Sequence, residues 1–213
     1  MSFEKEKEIF DNIYQGVDGY SISNRGRSTM DPEDRKFLIY GEISFAELLS
    51  IIENSGIKDE LKGLTTFCDL GSGTGKCLIG AALICPYFKR IIGVELVSTL
   101  YESSLESVQQ LAQTKKKLAS KIKITNGNFL KLDFAKPSLS PNVVLMHYPI
   151  HGTGSEELYL QLEEKFRKEL KPGSIIISAI RKLSSSESFP EILSPTHVEC
   201  KYGNVTIFFH KKV

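Results

Sequence analysis

Phe67-Cys68-Asp69-Leu70-Gly71-Ser72-Gly73-Thr74-Gly75-Lys76 is the stretch that decides the fold of this chain. Residues 64–70 form a short apolar run bounded by Gly63 and Gly71, the pattern of a buried strand. Glycines at 71, 73 and 75 then make a tight turn, and residues 77–85 have the small, apolar character of a helix packed on a sheet. Strand, glycine turn and helix open a nucleotide-binding α/β domain, whose ligand lies beyond the carboxyl end of the strand.

Three ligands compete for such a turn. A phosphate-binding P-loop needs Gly, four residues and then Gly-Lys-Ser/Thr; the spacing from Gly71 to Gly75 is one residue short, and Cys77 stands where the metal-binding hydroxyl belongs. A dinucleotide turn would place its third glycine at Lys76. Asp69, just before the glycines, would repel a pyrophosphate and attract a cation. S-adenosylmethionine (SAM) carries an ammonium and a sulfonium and no phosphate, so an acid beside the turn suits it. The pattern resembles the acid-x-Gly-x-Gly-x-Gly signature of class I SAM-dependent methyltransferases. A second β-branched run, residues 90–94, ends in Glu95, 20 residues after Gly75. That is the interval at which a second strand brings an acid to the ribose hydroxyls. Taken singly, these features read as an ordinary turn and a solvated strand end. In order, they nominate Asp69, Gly71, Ser72, Gly73, Gly75, Lys76 and Glu95 as cofactor-binding residues. The resemblance implies an α/β fold: a seven-stranded, mostly parallel Rossmann-like sheet with helices on both faces and an N-terminal helical cap.

The chain has 213 residues, enough for one such unit with an N-terminal extension. The expected layout is a helix with a lid or connector over residues 1–40 and a SAM-dependent methyltransferase domain over residues 41–213. Hydrophobic residues make up 41% and charged residues 25%, as in a globular protein. A net charge of +1 predicts no strong binding to nucleic acid or to an anionic membrane. No apolar run approaches the ~18 residues of a membrane span, and residues 1–10 are too charged for a signal peptide. The cysteines at 68, 77, 85 and 200 form no C-x-x-C pair, and three fall in predicted core elements. A reducing intracellular setting, cytoplasmic or nuclear, is the simpler reading, and no metal site is expected.

Phe3, Ile9, Phe10 and Ile13 among charged residues suggest a short amphipathic helix. Residues 16–27, rich in Gly, Ser and Asn, read as a loop. Tyr20, Arg25 and Arg27 within it would suit a lid, but a plain connector is the simpler account. Ser44 and Glu47 form a capping-box pattern opening a helix of Phe45, Leu48, Leu49 and Ile52. Local physics does not explain Tyr40-Gly41-Glu42 in front of it. That triplet, shortly before the glycine turn, resembles the Dot1-like lysine methyltransferases, in which the segment lies over the methionine part of SAM. The likeness continues through Gly93-Val94-Glu95, Gly127-Asn128-Phe129 and Gly173. It adds Tyr40 and Glu42 to the cofactor site and implies a lysine of a protein as methyl acceptor. In that family the third triplet is usually Gly-Asp-Phe, whose acid accepts a hydrogen bond from the adenine amino group. Asn128 can still accept one through its carbonyl oxygen, and Phe129 can pack against the ring.

Residues 98–118 read as a helix ending in Lys115, Lys116 and Lys117, cations that complement the helix dipole. A substrate-facing basic patch, joined by Lys121 and Lys123, is the alternative. Residues 122–125 are a third strand, and 142–146 a fourth, running into His147-Tyr148-Pro149-Ile150-His151-Gly152. In class I methyltransferases the segment after the fourth strand faces the methyl group. It lacks the Asp/Asn-Pro-Pro-Phe/Tyr form of enzymes that methylate nucleic-acid amino groups, and Dot1-like proteins often carry Asn where this chain has His147. His147, Tyr148 and Tyr40 are therefore the catalytic candidates, with His147 also beside the cofactor; Tyr40, Phe129, Tyr148 and Ile150 would line a lysine channel. Thr153 and Glu156 suggest a second capping box, for a helix with Leu158, Leu162 and Phe166 on one face. Glu156 and Glu157 resemble the paired acids of arginine methyltransferases, but acids in a first helical turn need no catalytic explanation. Pro172-Gly173 ends that helix, residues 174–180 are a fifth strand, and 184–188 a polar loop. Residues 196–202 and 205–210 form a terminal hairpin about Gly203-Asn204.

The implied reaction is in-line displacement of the SAM methyl, in which the enzyme supplies alignment and desolvation. Two alternatives stand beside it: a small-molecule acceptor with His147 as general base, and a SAM-binding module that has lost catalysis. The chain lacks a long lysine-rich segment for holding DNA, so protein lysine is implied as a class and chromatin only faintly.

Overall fold

The computed structural model describes residues 3–35, 37–147, 155–200 and 203–213. Seven strands form one sheet: β1 (Thr66–Leu70), β2 (Arg90–Glu95), β3 (Ile122–Asn126), β4 (Val143–Met146), β5 (Ile175–Ala179), β6 (Glu191–Cys200) and β7 (Gly203–Lys211). Their order is β3-β2-β1-β4-β5-β7-β6. Every pairing is parallel except those of β7, which runs antiparallel to both β5 and β6. The chain order reverses between β1 and β4, and the crevice beyond their carboxyl ends is where α/β sheets of this kind bind ligands. Asp69 pairs in register with Leu145, which brings the glycine turn and His147 to the same edge.

The strands are apolar throughout because both faces are covered. On β1, Phe67 enters one core with Val143 and Leu145, while Cys68 and Leu70 enter the other with Val144 and Met146. The first core takes its helical side chains from α1 (Glu4–Tyr14), α4 (Phe45–Leu49), α5 (Ile57–Glu60), α6 (Lys76–Ile84) and α7 (Ser98–Ala119). The second takes Tyr159, Leu162 and Phe166 from α8 (Ser155–Glu169). Helix α6 is buried on all sides, as its unbroken apolar run requires. Ser44 caps α4: its Oγ accepts from Glu47 N at 3.2 Å while the Glu47 carboxylate accepts from Ser44 N. A turn of π-helix, Ser50–Asn54, follows.

Two expectations are corrected. Residues 16–27 are mostly helix: α2 spans Gly19–Ser28, capped by Asp18 Oδ1, which accepts from Ser21 N at 3.1 Å. A short α3 (Pro32–Arg35) follows. The glycines that suggested a loop serve close packing instead. A Cβ at Gly26 would lie 2.2 Å from Thr99 Oγ1 and 2.4 Å from Val97 Cγ1, and one at Gly19 would lie 2.1 Å from the Tyr40 hydroxyl. Docking on α7, secured by Thr99 Oγ1 donating to Ile22 O at 2.9 Å, outweighs the poor helix propensity of such a sequence. The last hairpin also begins earlier, because β6 starts at Glu191 and contains Pro195. As the edge strand it tolerates the missing N–H, and its register with β7 shifts between Leu193 and Thr196. Tyr148, Ile150, His151, Gly152, Thr153 and Tyr202 lie outside the described residues. Lys115, Lys116 and Lys117 are exposed at the end of α7, before β3 begins and so at the amino edge of the sheet, away from the crevice.

Candidate active site

The glycine turn is shaped by backbone no other residue adopts comfortably. Gly71, Gly73 and Gly75 have φ of 81°, 54° and 86°. Gly71 N and Ser72 N both donate to Val94 O, at 2.9 and 3.0 Å, tying the turn to β2. At Gly73 the space is also restricted, since a Cβ would come within 3.1 Å of the Tyr40 ring.

Glu95 ends β2 and is only 5% exposed. Its Oε2 accepts from Gly73 N at 2.7 Å and its Oε1 from Val97 N at 2.8 Å. Burial pushes its pKa up, and the backbone N–H groups of Val97 and Gly73 pull it back down. This carboxylate therefore braces the turn against the start of α7. It also faces a cavity of about 310 Å³ shared with Gly71, Asn128, Phe129, Phe37, Leu38 and Leu158. Asn128 Oδ1 accepts from Leu130 N at 2.8 Å, which caps the short 3-10 turn Phe129–Lys131 and fixes the amide.

Asp69 is 1% exposed, and neither of its oxygens accepts a hydrogen bond of ordinary geometry. Burial raises its pKa to about 7; the neighbouring Cys77 thiol, a weak donor, opposes the shift and the Glu95 charge adds to it. Ser72 Oγ, also buried, has no partner either. A small cavity of about 20 Å³ over the turn is bounded by Asp69, Ser72, Gly73, Lys76, Tyr40 and His147 among others.

The Tyr40-Gly41-Glu42 segment is strapped across this cavity. The Tyr40 hydroxyl donates to Glu42 Oε1 at 2.9 Å and lies 3.3 Å from Thr74 Oγ1. Lys76 Nζ reaches Glu42 Oε2 at 2.9 Å and sits over the Tyr14 ring, whose hydroxyl donates to Thr74 O at 3.3 Å. Burial, more than the Glu42 charge, keeps the Tyr40 hydroxyl protonated. His147 is buried beside this segment, and burial lowers its pKa to about 4 against the opposing pull of the Glu47 carboxylate. It is neutral at pH 7. On the far side, Tyr40, Gly41, Glu42 and His147 also bound a mostly apolar cavity of about 250 Å³ with Tyr20, Ile39 and Cys200.

Of the residues nominated from sequence, Tyr40, Glu42, Asp69, Gly71, Ser72, Gly73, Lys76 and His147 meet around the small cavity, and Glu95, Asn128 and Phe129 around the large one. Gly75 stands apart at the start of α6, where a Cβ would press on Ser104 at 3.3 Å. Sequence reading named Tyr20 and Arg27 only as parts of a lid that it set aside for a connector, and it missed Ser23; the structure brings all three to cavities beside Tyr40. The Asp18-x-x-Ser21 cap was the available signal.

The fold is that of class I methyltransferases. Magnesium protoporphyrin IX methyltransferase (ChlM) from Synechocystis PCC 6803, solved with bound SAM, is 14% identical and superposes with a TM-score of 0.57 over 93% of this chain and 99% of that one. A putative RNA methyltransferase, PH1948 from Pyrococcus horikoshii, gives 17% identity and 0.59 over 91% and 98%. Precorrin-6y C5,15-methyltransferase from Geobacter metallireducens GS-15 gives 16% and 0.55 over 84% and 96%. These likenesses are of fold. A search of curated proteins finds no match. The sequence profile described as "Histone methylation protein DOT1" matches residues 33–194, from ahead of Tyr40 into β6. That span covers the glycine turn, Glu95, Asn128 and His147 and well over half of the sequence, and the chain belongs to the DOT1 histone methylation protein family.

Proposed function

We propose that this SAM-dependent methyltransferase carries the methyl group to a lysine side chain of a protein. The observation that supports the reading is the Tyr40-Gly41-Glu42 strap in a DOT1-family chain, which bounds both a small cavity shared with Asp69, Ser72 and Lys76 over the glycine turn and a mostly apolar one.

The residues present fit SAM. Asp69 is a buried carboxylate without a partner beside a phosphate-free turn, and it suits an ammonium; the backbone at Gly73 leaves room that a Cβ would fill against Tyr40. Glu95 keeps a lone pair on each oxygen for the ribose hydroxyls after accepting from Gly73 N and Val97 N. Asn128 and Phe129 would hold the adenine. When bound, SAM supplies a methyl group on a sulfonium, a good leaving group. The chain's own contribution is orientation and exclusion of water. A lysine ammonium, with an unperturbed pKa of ~10.4, is disfavoured by apolar surroundings. The cavity of Tyr20, Ile39 and Tyr40 offers such surroundings. His147, held neutral by burial and with a pKa near 4, is a poor general base at pH 7 and is better suited to wall and position the acceptor. Residues 1–40 serve this domain as a cap, with Tyr14 and Gly19 against the turn and the strap.

A net charge of +1 without a long lysine-rich segment to hold a nucleosome speaks against a histone acceptor and leaves two acceptors to distinguish, a lysine of another protein and a small molecule. Incubation of the protein with tritiated SAM and a cell extract, followed by dialysis, separates the two. Label retained in protein and recovered as methyllysine is the expected result. Label recovered in a dialysable methylated product chromatographically distinct from SAM would assign the smaller acceptor.

A further inference from the structure

Between α2 and the glycine turn lies a cavity of about 40 Å³ bounded by Ser23, Arg27, Tyr40, Gly71, Gly73 and Glu95. Two of its polar groups are left without partners. Ser23 is 1% exposed and its hydroxyl makes no hydrogen bond; Arg27 Nε is likewise buried and unpaired. The other guanidinium nitrogens donate to neutral acceptors, Nη1 to Leu38 O at 2.7 Å and Nη2 to Asn24 Oδ1 at 2.6 Å. Among the described residues no carboxylate pairs with Arg27: Glu95 bounds the same cavity, but its carboxylate is directed to Gly73 N and Val97 N. Donors left in this condition are costly, and a guanidinium N–H beside a hydroxyl is a donor pair suited to an anion.

This cavity adjoins the one that holds Asp69: Tyr40, Gly41, Gly71, Gly73 and His147 bound both. An unpaired cationic group and an unpaired carboxylate thus stand on neighbouring sides of one glycine turn. SAM carries a single anion, the carboxylate of its methionine part, on the same carbon as its ammonium. We propose that Arg27 and Ser23 bind this carboxylate while Asp69 receives the ammonium, so that α2 is a component of the cofactor site. The inference rests on the reading of the crevice as a SAM site.

The test compares SAM with decarboxylated SAM, which lacks only the carboxylate, by calorimetric titration of the full chain. The wild-type protein should prefer SAM by roughly 10–100-fold, the worth of a charge-assisted hydrogen bond. Arg27→Met should erase most of that preference by weakening SAM alone. Ser23→Ala should lower SAM affinity several-fold and leave decarboxylated SAM unaffected. Its melting temperature without ligand should hold or rise, because a buried unpaired hydroxyl is gone. Equal wild-type affinity for the two compounds would overturn the proposal, as would parallel weakening of both by Arg27→Met with no effect of Ser23→Ala. Failure of the wild-type protein to bind SAM at all would instead refute the cofactor reading.

Discussion

Asp69 and His147 are two buried titratable groups whose shifts pull stability in opposite directions with pH. The Asp69 pKa in the folded protein, about 7, lies above its ordinary value. Its stabilisation is therefore complete below the unfolded value of ~3.9 and is lost as pH rises through 7. The folded His147 pKa, about 4, lies below its ordinary value, so its stabilisation is complete above ~6.5 and is lost as pH falls toward 4. Each is worth on the order of 3 kcal/mol, and between pH 4 and 6.5 they largely cancel. Asp69→Asn should unmask the histidine: the melting temperature of that variant should fall more steeply on acidification than that of the wild type. A flat difference would place Asp69 outside the titrating pair. An ammonium beside Asp69 would also draw off its proton, so SAM binding at pH 6 should release protons, read as a dependence of calorimetric heat on buffer. Glu95→Ala removes the acceptor for two buried N–H groups as well as any ribose contact. It should cost about 1–3 kcal/mol of stability and a similar amount of SAM affinity. Loss of stability alone would make Glu95 a brace and nothing more. At His147 the distinction is kinetic: His147→Asn should keep a substantial part of the turnover, whereas loss of a general base removes roughly 10²–10⁴-fold.

The elements that were legible in the sequence are those fixed by local chemistry. The β1 strand, glycine turn and α6 announce themselves because a buried strand, a left-handed turn and an all-apolar helix each have a composition of their own. The Ser44–Glu47 cap is equally local. Helix α2 was not legible, because it exists through contacts with α7 and Tyr40 that lie 70 or more and about 20 positions away. Its small residues are what close docking demands, and the same residues signal a loop when read alone. Pro195 misled in the same way: as a strand breaker it hid the first half of β6, which survives as the edge of the sheet. The protonation states of Asp69 and His147 were also beyond the sequence, since burial sets them. Docking of α2 predicts that Gly26→Ala, which pushes a methyl into Thr99 and Val97, destabilises the protein by about 1–3 kcal/mol and weakens SAM. An unchanged melting temperature would return the segment to the status of a connector.

At the scale of the molecule, one edge of the sheet gathers the chemistry. The turn after β1, Glu95 at the end of β2, Asn128 after β3 and His147 after β4 all stand at the carboxyl ends of parallel strands, and the N-terminal helices close over them. The acid of the turn is buried and unpaired, and on the proposed reading it would select a ligand with positive charge and no phosphate. A pyrophosphate seated on this turn would lie against Asp69 and be opposed by it wherever its carboxyl is ionised. Calorimetric titration with SAM, S-adenosylhomocysteine, NAD and ATP tests this most directly. SAM and S-adenosylhomocysteine should bind, NAD and ATP should not, and Gly73→Arg should abolish binding while leaving the protein folded. Binding of NAD with an affinity comparable to that of SAM would contradict the account.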